Sequence, residues 1–143
     1  IAVRNKSNAK AKVLIVEDNN ATRELLKDSV ARFPVDVFEA TESEQALNLA
    51  CTEHPDLIIL DIGIPAPDGF EVVETLRKSD LRETPLIVYT SRDLTKDEMN
   101  KLTLGLTKHL IKSKTSEQEL IDTIKFLLDG LLAISETPTP AGA

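Results

Sequence analysis

Tryptophan is absent from this 143-residue chain, cysteine occurs once, histidine twice, and the aromatic complement is four Phe and one Tyr. Each scarcity closes off a class of function. A single thiol, Cys51, cannot form an intramolecular disulfide, which fits a reducing compartment and excludes cysteine-rich zinc modules. With only His54 and His109 besides, a histidine-based zinc site also lacks ligands. The rings are too sparse to stack nucleic-acid bases. The net charge of −7, with an isoelectric point near 4.9, opposes contact with a phosphate backbone. No apolar run approaches the roughly 18 residues of a membrane helix. Residues 1–12 contain neither an initiator Met nor the apolar stretch of a signal peptide. The expectation is a soluble, acidic, cytoplasmic domain that contacts neither nucleic acid nor membrane. A chain of this length can bury roughly 68–70% of its unfolded surface without a metal or disulfide staple.

The ends differ from the middle. Arg4 to Lys12 is polar and basic without a period, and Ser135 to Ala143 is rich in Pro, Thr and Ala, which sets 1–11 and 133–143 apart as ends. Both read as linkers, which leaves a folded part at 12–132. Within it, apolar runs alternate with helix-period segments. Residues 13–16 form a branched run that stops at Glu17 and Asp18. In 21–33, Leu25, Leu26, Ser29, Val30 and Phe33 then share one helical face. A run at 35–40 precedes a helix over 42–54, introduced by Thr41 and Glu44 at capping-box spacing. The run at 57–60 ends at Asp61. A loop with Gly63, Pro65 and Pro67 leads into a helix from Phe70 that would bury Val72, Val73 and Leu76. The run at 85–89 ends at Thr90, and Thr95 with Glu98 repeats the capping spacing ahead of a fourth, less apolar helix. Residues 108–111 end at Lys112. Either Thr115 with Gln118 or Ser116 with Glu119 caps a last helix carrying Leu120, Ile121, Ile124, Leu127, Leu128 and Leu131.

Five βα units, with continuous apolar runs in the central strands, imply a parallel sheet covered on both faces. Right-handed crossovers then give a doubly wound three-layer α/β sandwich, and eight units would be needed for a barrel. Ligands of such sheets bind outside the carboxyl ends of the strands. Those ends carry Glu17 and Asp18, Asp61, Thr90 and Lys112. Singly, each has a plain explanation as a cap, an Asx turn or a solvated charge. Four of them on one edge point to a site. Asp18 and Asp61 suit the oxygen-rich octahedral shell of Mg²⁺, with Glu17 holding a metal-bound water. Lys112 and Thr90 can meet the oxygens of a phosphoryl group, so the chemistry expected is phosphoryl transfer to the Asp61 carboxylate. His109 reads as a part-exposed strand residue, and Cys51, beside Leu47 and Ala50, as a small core residue.

These residues resemble the receiver domain of two-component response regulators, a family with a flavodoxin-like fold. The resemblance rests on VLIVEDN at 13–19, LIILDIGIPAPDGFE at 57–71, VYTS at 88–91 and GLTKHLIK at 105–112, and covers about 12–132. It implies strand order 2-1-3-4-5, with Asp61 as phosphoacceptor and Asp18 and Asp61 as direct Mg²⁺ ligands. Glu17 would act as the second acidic residue through water, and the Gly63 carbonyl would complete the shell. Thr90 matches the switch hydroxyl and Lys112 the lysine that contacts the phosphoryl group. The implied donor is a phosphohistidine on a histidine kinase or histidine phosphotransfer domain. The implied output face is made by the fourth helix, fifth strand and fifth helix. Such a domain accepts one group rather than turning over a substrate.

Four positions depart from the family pattern. Ser113 stands where Pro is usual, which implies a reshaped loop. His109 replaces the Tyr or Phe that partners the switch hydroxyl, and Ile64 and Pro67 replace loop methionines as neutral apolar residues. The competing function is a phosphorylation-independent receiver fold that serves only to bind proteins. A flavin carrier would need a hydroxyl- and glycine-rich first loop in place of the acidic one found. A haloacid-type phosphatase would need a second Asp two residues after Asp61. The flanks suggest a piece of a larger protein, with a histidine kinase core the expected neighbour and a stand-alone or DNA-binding regulator the alternative.

Overall fold

The continuous apolar runs of the central strands must be covered on both faces, and the chain supplies two layers of helices to do so. In the computed structural model, residues 10–65 and 68–136 are described, with side chains through residue 130. The elements are β1 (Ala11–Val16), α1 (Asn20–Val30), β2 (Val35–Ala40), α2 (Ser43–Glu53), β3 (Leu57–Leu60), α3 (Gly69–Arg77), β4 (Leu86–Thr90), α4 (Lys96–Lys101), β5 (Thr107–Ile111) and α5 (Glu117–Glu136). All strand pairs are parallel and the order is β2-β1-β3-β4-β5, the doubly wound flavodoxin-like arrangement expected.

Alternation along the strands divides the core in two. Leu14, Val16, Ile58, Leu60, Leu86 and Val88 meet α2 and α3 through Ala46, Ala50, Val72, Val73 and Leu76. Val13, Ile15, Leu57, Ile59, Ile87 and Tyr89 meet α1 and α5 through Leu26, Val30, Leu120, Ile124 and Leu127. Burial on both faces removes these side chains from water completely: Val13, Ile15 and residues 57–60 are all 0% exposed. Each such side chain contributes roughly 1.5–3 kcal/mol to the folded state.

Local differences from the sequence expectation have local causes. α2 starts at Ser43, and the Thr41–Glu44 capping box does not form, since Glu42 occupies the N-cap position. Gln45 reaches back instead and accepts the Thr41 N–H at 2.9 Å. α2 ends at His54 in the left-handed conformation (φ 48°). Cys51 is exposed rather than in the core. The buried residues of α2 are Ser43, Ala46 and Ala50, and one further residue turns the chain about 100° away from that stripe. At the fifth helix Ser116 and Glu119 form the box: Glu119 N–H donates to Ser116 Oγ at 3.1 Å, and Ser116 N–H to Glu119 Oε1 at 2.8 Å. α5 continues to Glu136, so residues 133–136, read from sequence as tail, are helical. No helix breaker precedes Pro138 in that stretch. The side chain of Leu131, with Pro67 and residues 1–9 and 137–143, lies outside the described residues.

α4 is short and has no buried residue of its own. Its start is held by the Thr95–Glu98 capping box and its end by α3. The Arg77 guanidinium donates to the carbonyls of Asn100, Lys101 and Thr103. The following loop packs backbone to backbone, for a Cβ on Gly105 would collide with the Glu83 carbonyl. Gly105→Ala is therefore expected to destabilise the protein by about 1–3 kcal/mol, read as a lower urea midpoint with an unchanged slope.

Candidate functional site

At the carboxyl edge of the sheet, three strands end in charge. β1 runs into Glu17 and Asp18, β3 into Asp61, and β5 into Lys112, the first residue of a 3₁₀ turn over Lys112–Lys114. One carboxylate oxygen from each of Glu17, Asp18 and Asp61 lies within 4.8 Å of the others. Lys112 Nζ bridges two of these groups, donating to Glu17 Oε1 at 2.9 Å and to Asp61 Oδ2 at 3.1 Å.

Backbone groups hold the remaining oxygens. Asn19 N–H donates to Glu17 Oε2 at 3.1 Å, and Gly63 N–H to Asp61 Oδ1 at 2.9 Å. Asn19 also caps α1, its Oδ1 accepting the Thr22 N–H at 2.8 Å. The main chain is pinned as well, with Glu17 N–H on the Ala40 carbonyl at 2.9 Å and Asp61 N–H on the Val16 carbonyl at 3.0 Å. The acidic turn and the loop after β3 are thus fixed to neighbouring strands.

Burial sets the electrostatics. Glu17 is fully buried, Asp61 nearly so, and Asp18 open to solvent. Burial pushes the Glu17 carboxyl above its ordinary value. Hydrogen bonds from Lys112 and the Asn19 N–H pull it back without reversing the shift, and the Asp61 charge adds to it. Burial likewise works against the Lys112 ammonium, but Glu17 and Asp61 outweigh it and hold that pKa above its ordinary value. Three carboxylates faced by one ammonium leave two negative charges, the complement of one divalent cation. The cluster offers only hard oxygen donors, which suits Mg²⁺ and not a thiolate- or imidazole-seeking metal.

The sequence singles out six residues, and five of them meet through the contacts above: Glu17, Asp18, Asp61, Gly63 and Lys112. Thr90 lies at the same edge, buried at the end of β4 between the strands bearing Asp61 and Lys112. Its hydroxyl makes no hydrogen bond to the carboxylates or to Lys112. His109 is part-exposed, as expected, and its Nε2 lies 3.1 Å from the Leu102 carbonyl. A carbonyl only accepts, so Nε2 carries the proton. Ser113 sits within the 3₁₀ turn over Lys112–Lys114. Ile64 is buried. One neighbour escaped sequence reasoning. The Lys112 ammonium lies 5.7 Å from the centroid of the Tyr89 ring, within reach of a cation–π contact. Only its place beside Thr90 in the fourth run could have suggested it.

Fold and site together define a receiver domain. Residues 13–125 match the family described as response regulator receiver domain, and the chain belongs to that family. The alkaline phosphatase synthesis transcriptional regulatory protein PhoP of Bacillus subtilis is 36% identical over 117 residues, covering 82% of this chain and 48% of PhoP. The chain therefore spans about half the length of such curated relatives. The chemotaxis response regulator CheY4 of Vibrio cholerae is 27% identical with a TM-score of 0.72, over 83% of this chain and 99% of that one. The receiver domain of sensor histidine kinase PA1611 from Pseudomonas aeruginosa, solved with a magnesium ion in its active-site cleft, shares the fold. Its TM-score is 0.72 at 24% identity, over 85% of this chain and 99% of that one.

Replacing Lys112 with Met leaves the buried Glu17 without its counter-charge. Because Lys112 keeps some solvent contact, the metal-free variant is expected to lose about 1–3 kcal/mol at neutral pH. The deficit shrinks as the pH falls towards the carboxylate range. There the folded variant, its Glu17 pKa raised, binds a proton that the unfolded chain does not. Urea titrations of both proteins at neutral and mildly acidic pH measure this.

Proposed function

We propose that Asp61 accepts a phosphoryl group from a phosphohistidine on a histidine kinase or phosphotransfer domain, in a reaction that requires Mg²⁺. The single observation that carries this is the convergence of Glu17, Asp18 and Asp61 on one point, with Lys112 bridging two of them. Asp18 and Asp61 would ligate the ion directly, Glu17 through water, and the Gly63 carbonyl would complete the protein's share. When bound, the ion neutralises charge on the phosphoryl oxygens.

The residues of the chain divide the remaining work. The Asp61 carboxylate attacks phosphorus, the P–N bond breaks, and the imidazole leaves with the bonding electrons. The Gly63 N–H keeps the carboxylate oriented through Oδ1. Lys112, already on Asp61, transfers one of its hydrogen bonds to a phosphoryl oxygen, and Thr90 donates another. The resulting shift of β4 and its following loop reaches the face of α4, β5 and α5, where the output partner docks. Support for that face comes from the exposed large apolar side chains of the described residues, Met99 on α4, Leu106 just before β5 and Phe126 on α5. The Lys108 ammonium lies 5.1 Å from the Phe126 ring centroid, so the face joins apolar surface to positive charge.

A cytoplasmic setting fits the free, exposed Cys51. PhoP is a transcriptional regulatory protein and the P. aeruginosa domain belongs to a sensor histidine kinase. The receiver reading therefore holds for either kind of parent chain.

Incubation with a small acyl phosphate and Mg²⁺ is expected to add one phosphoryl group, seen by intact mass. Chelation of Mg²⁺ or the Asp61→Asn substitution should abolish the adduct. An adduct retained by Asp61→Asn would sink the assignment.

A further inference from the structure

We propose that Arg23, on the first turns of α1, is a positioning residue for the metal site, acting by fixing the peptide between Glu17 and Asp18. This inference rests on the reading of the acidic cluster as a Mg²⁺ site. The guanidinium uses all three of its nitrogens. Nη1 donates to the Glu17 carbonyl at 3.0 Å, Nη2 to Asn20 Oδ1, and Nε to Glu39 Oε1 at 3.0 Å. The first bond matters most for the site. The Glu17 carbonyl belongs to the peptide that carries Asp18, the one exposed carboxylate of the cluster and the one whose side chain no hydrogen bond of the described residues restrains. Its direction is therefore set by its backbone, and Arg23 holds that backbone from the α1 side while the Glu17 N–H is held by Ala40 from β2.

An arginine this close to a cation site would ordinarily repel the cation. Glu39 removes that objection. It lies on β2, pairs with Arg23, and also receives Lys27 Nζ at 3.2 Å. Burial opposes ionisation of Glu39, but the hydrogen bonds from Lys27 and Arg23 prevail and hold its pKa below the ordinary value. Lys27 also meets Glu24 at 3.4 Å, so two carboxylates answer the two cations, and Arg23 acts as a fork of donors whose charge is compensated. The Arg23 side chain is only 15% exposed, so the clamp is shielded from competing water. Its planar fork, with three directions served at once, is what a lysine at the same position lacks.

Calorimetric titration of Mg²⁺ into the full chain, with thermal unfolding in chelator as a separate measure of folding, tests this. Arg23→Ala is expected to raise the Mg²⁺ Kd about tenfold, the usual scale for loss of a group that orients a metal ligand. Arg23→Lys keeps the charge beside Glu39 and the cooperative unfolding transition. It too should weaken Mg²⁺ binding, because the bond to the Glu17 carbonyl is not replaced. If Arg23→Ala does not fold, Arg23→Lys decides alone. An unchanged Kd in Arg23→Ala, or a wild-type Kd in Arg23→Lys, would overturn the positioning role while leaving the metal site standing. A wild-type chain that binds no Mg²⁺ would instead overturn the metal-site reading, and the proposal with it.

Discussion

The Lys112 ammonium joins two carboxylates that neither neighbour it in sequence nor neighbour each other. It is 95 residues from Glu17 and 51 from Asp61. Such an interaction cannot form locally and exists only when β1, β3 and β5 are already in register. The dependence also runs the other way. A fully buried Glu17 carboxylate is tolerable because an ammonium and a backbone N–H answer its two oxygens. The apolar sheet builds the edge, and this one cation allows the edge to be acidic.

That order of dependence explains what could be read in advance. Short strands, continuously apolar at the centre of the sheet and each followed by a helix period, leave little choice of architecture, and a parallel sheet sends every strand's carboxyl end to one side. Glu17, Asp18, Asp61, Thr90 and Lys112 were therefore visible as a group from their positions in the chain. The contacts that refine the site were not. The Tyr89 ring near Lys112 and the Arg23 bond to the Glu17 carbonyl depend on how neighbouring elements rotate against each other, which no periodicity encodes. The same holds on a smaller scale for Cys51 and for the unformed Thr41–Glu44 box, where a difference of one residue in helix phase changes which side chain faces the core.

α4 is the least anchored of the helices in terms of apolar burial. It is held instead by polar contacts at its ends: the capping box, Arg92 on Glu98 at 3.1 Å, Arg77 on three terminal carbonyls, and His109 on the Leu102 carbonyl between them. Carbonyls 100–103 are thus all answered by two side chains, one from α3 and one from β5. Elements held by exposed polar contacts open at lower free energy than those held by a core. Within the proposed output face, α4 is accordingly the element set least firmly on the sheet. His109 contributes to its hold through a hydrogen bond that a phenyl ring could not make.

Tyr89 has a consequence that concerns observation rather than chemistry. It is the only tyrosine in a chain without tryptophan. Above the phenylalanine region, the protein's ultraviolet absorption and emission therefore come from a single ring, 5.7 Å from the site's ammonium. Any event that draws Lys112 elsewhere alters the electric field at that one chromophore, with no other residue to dilute the change. The molecule is its own optical gauge, with the sensing element built into the wall of the site it reports on.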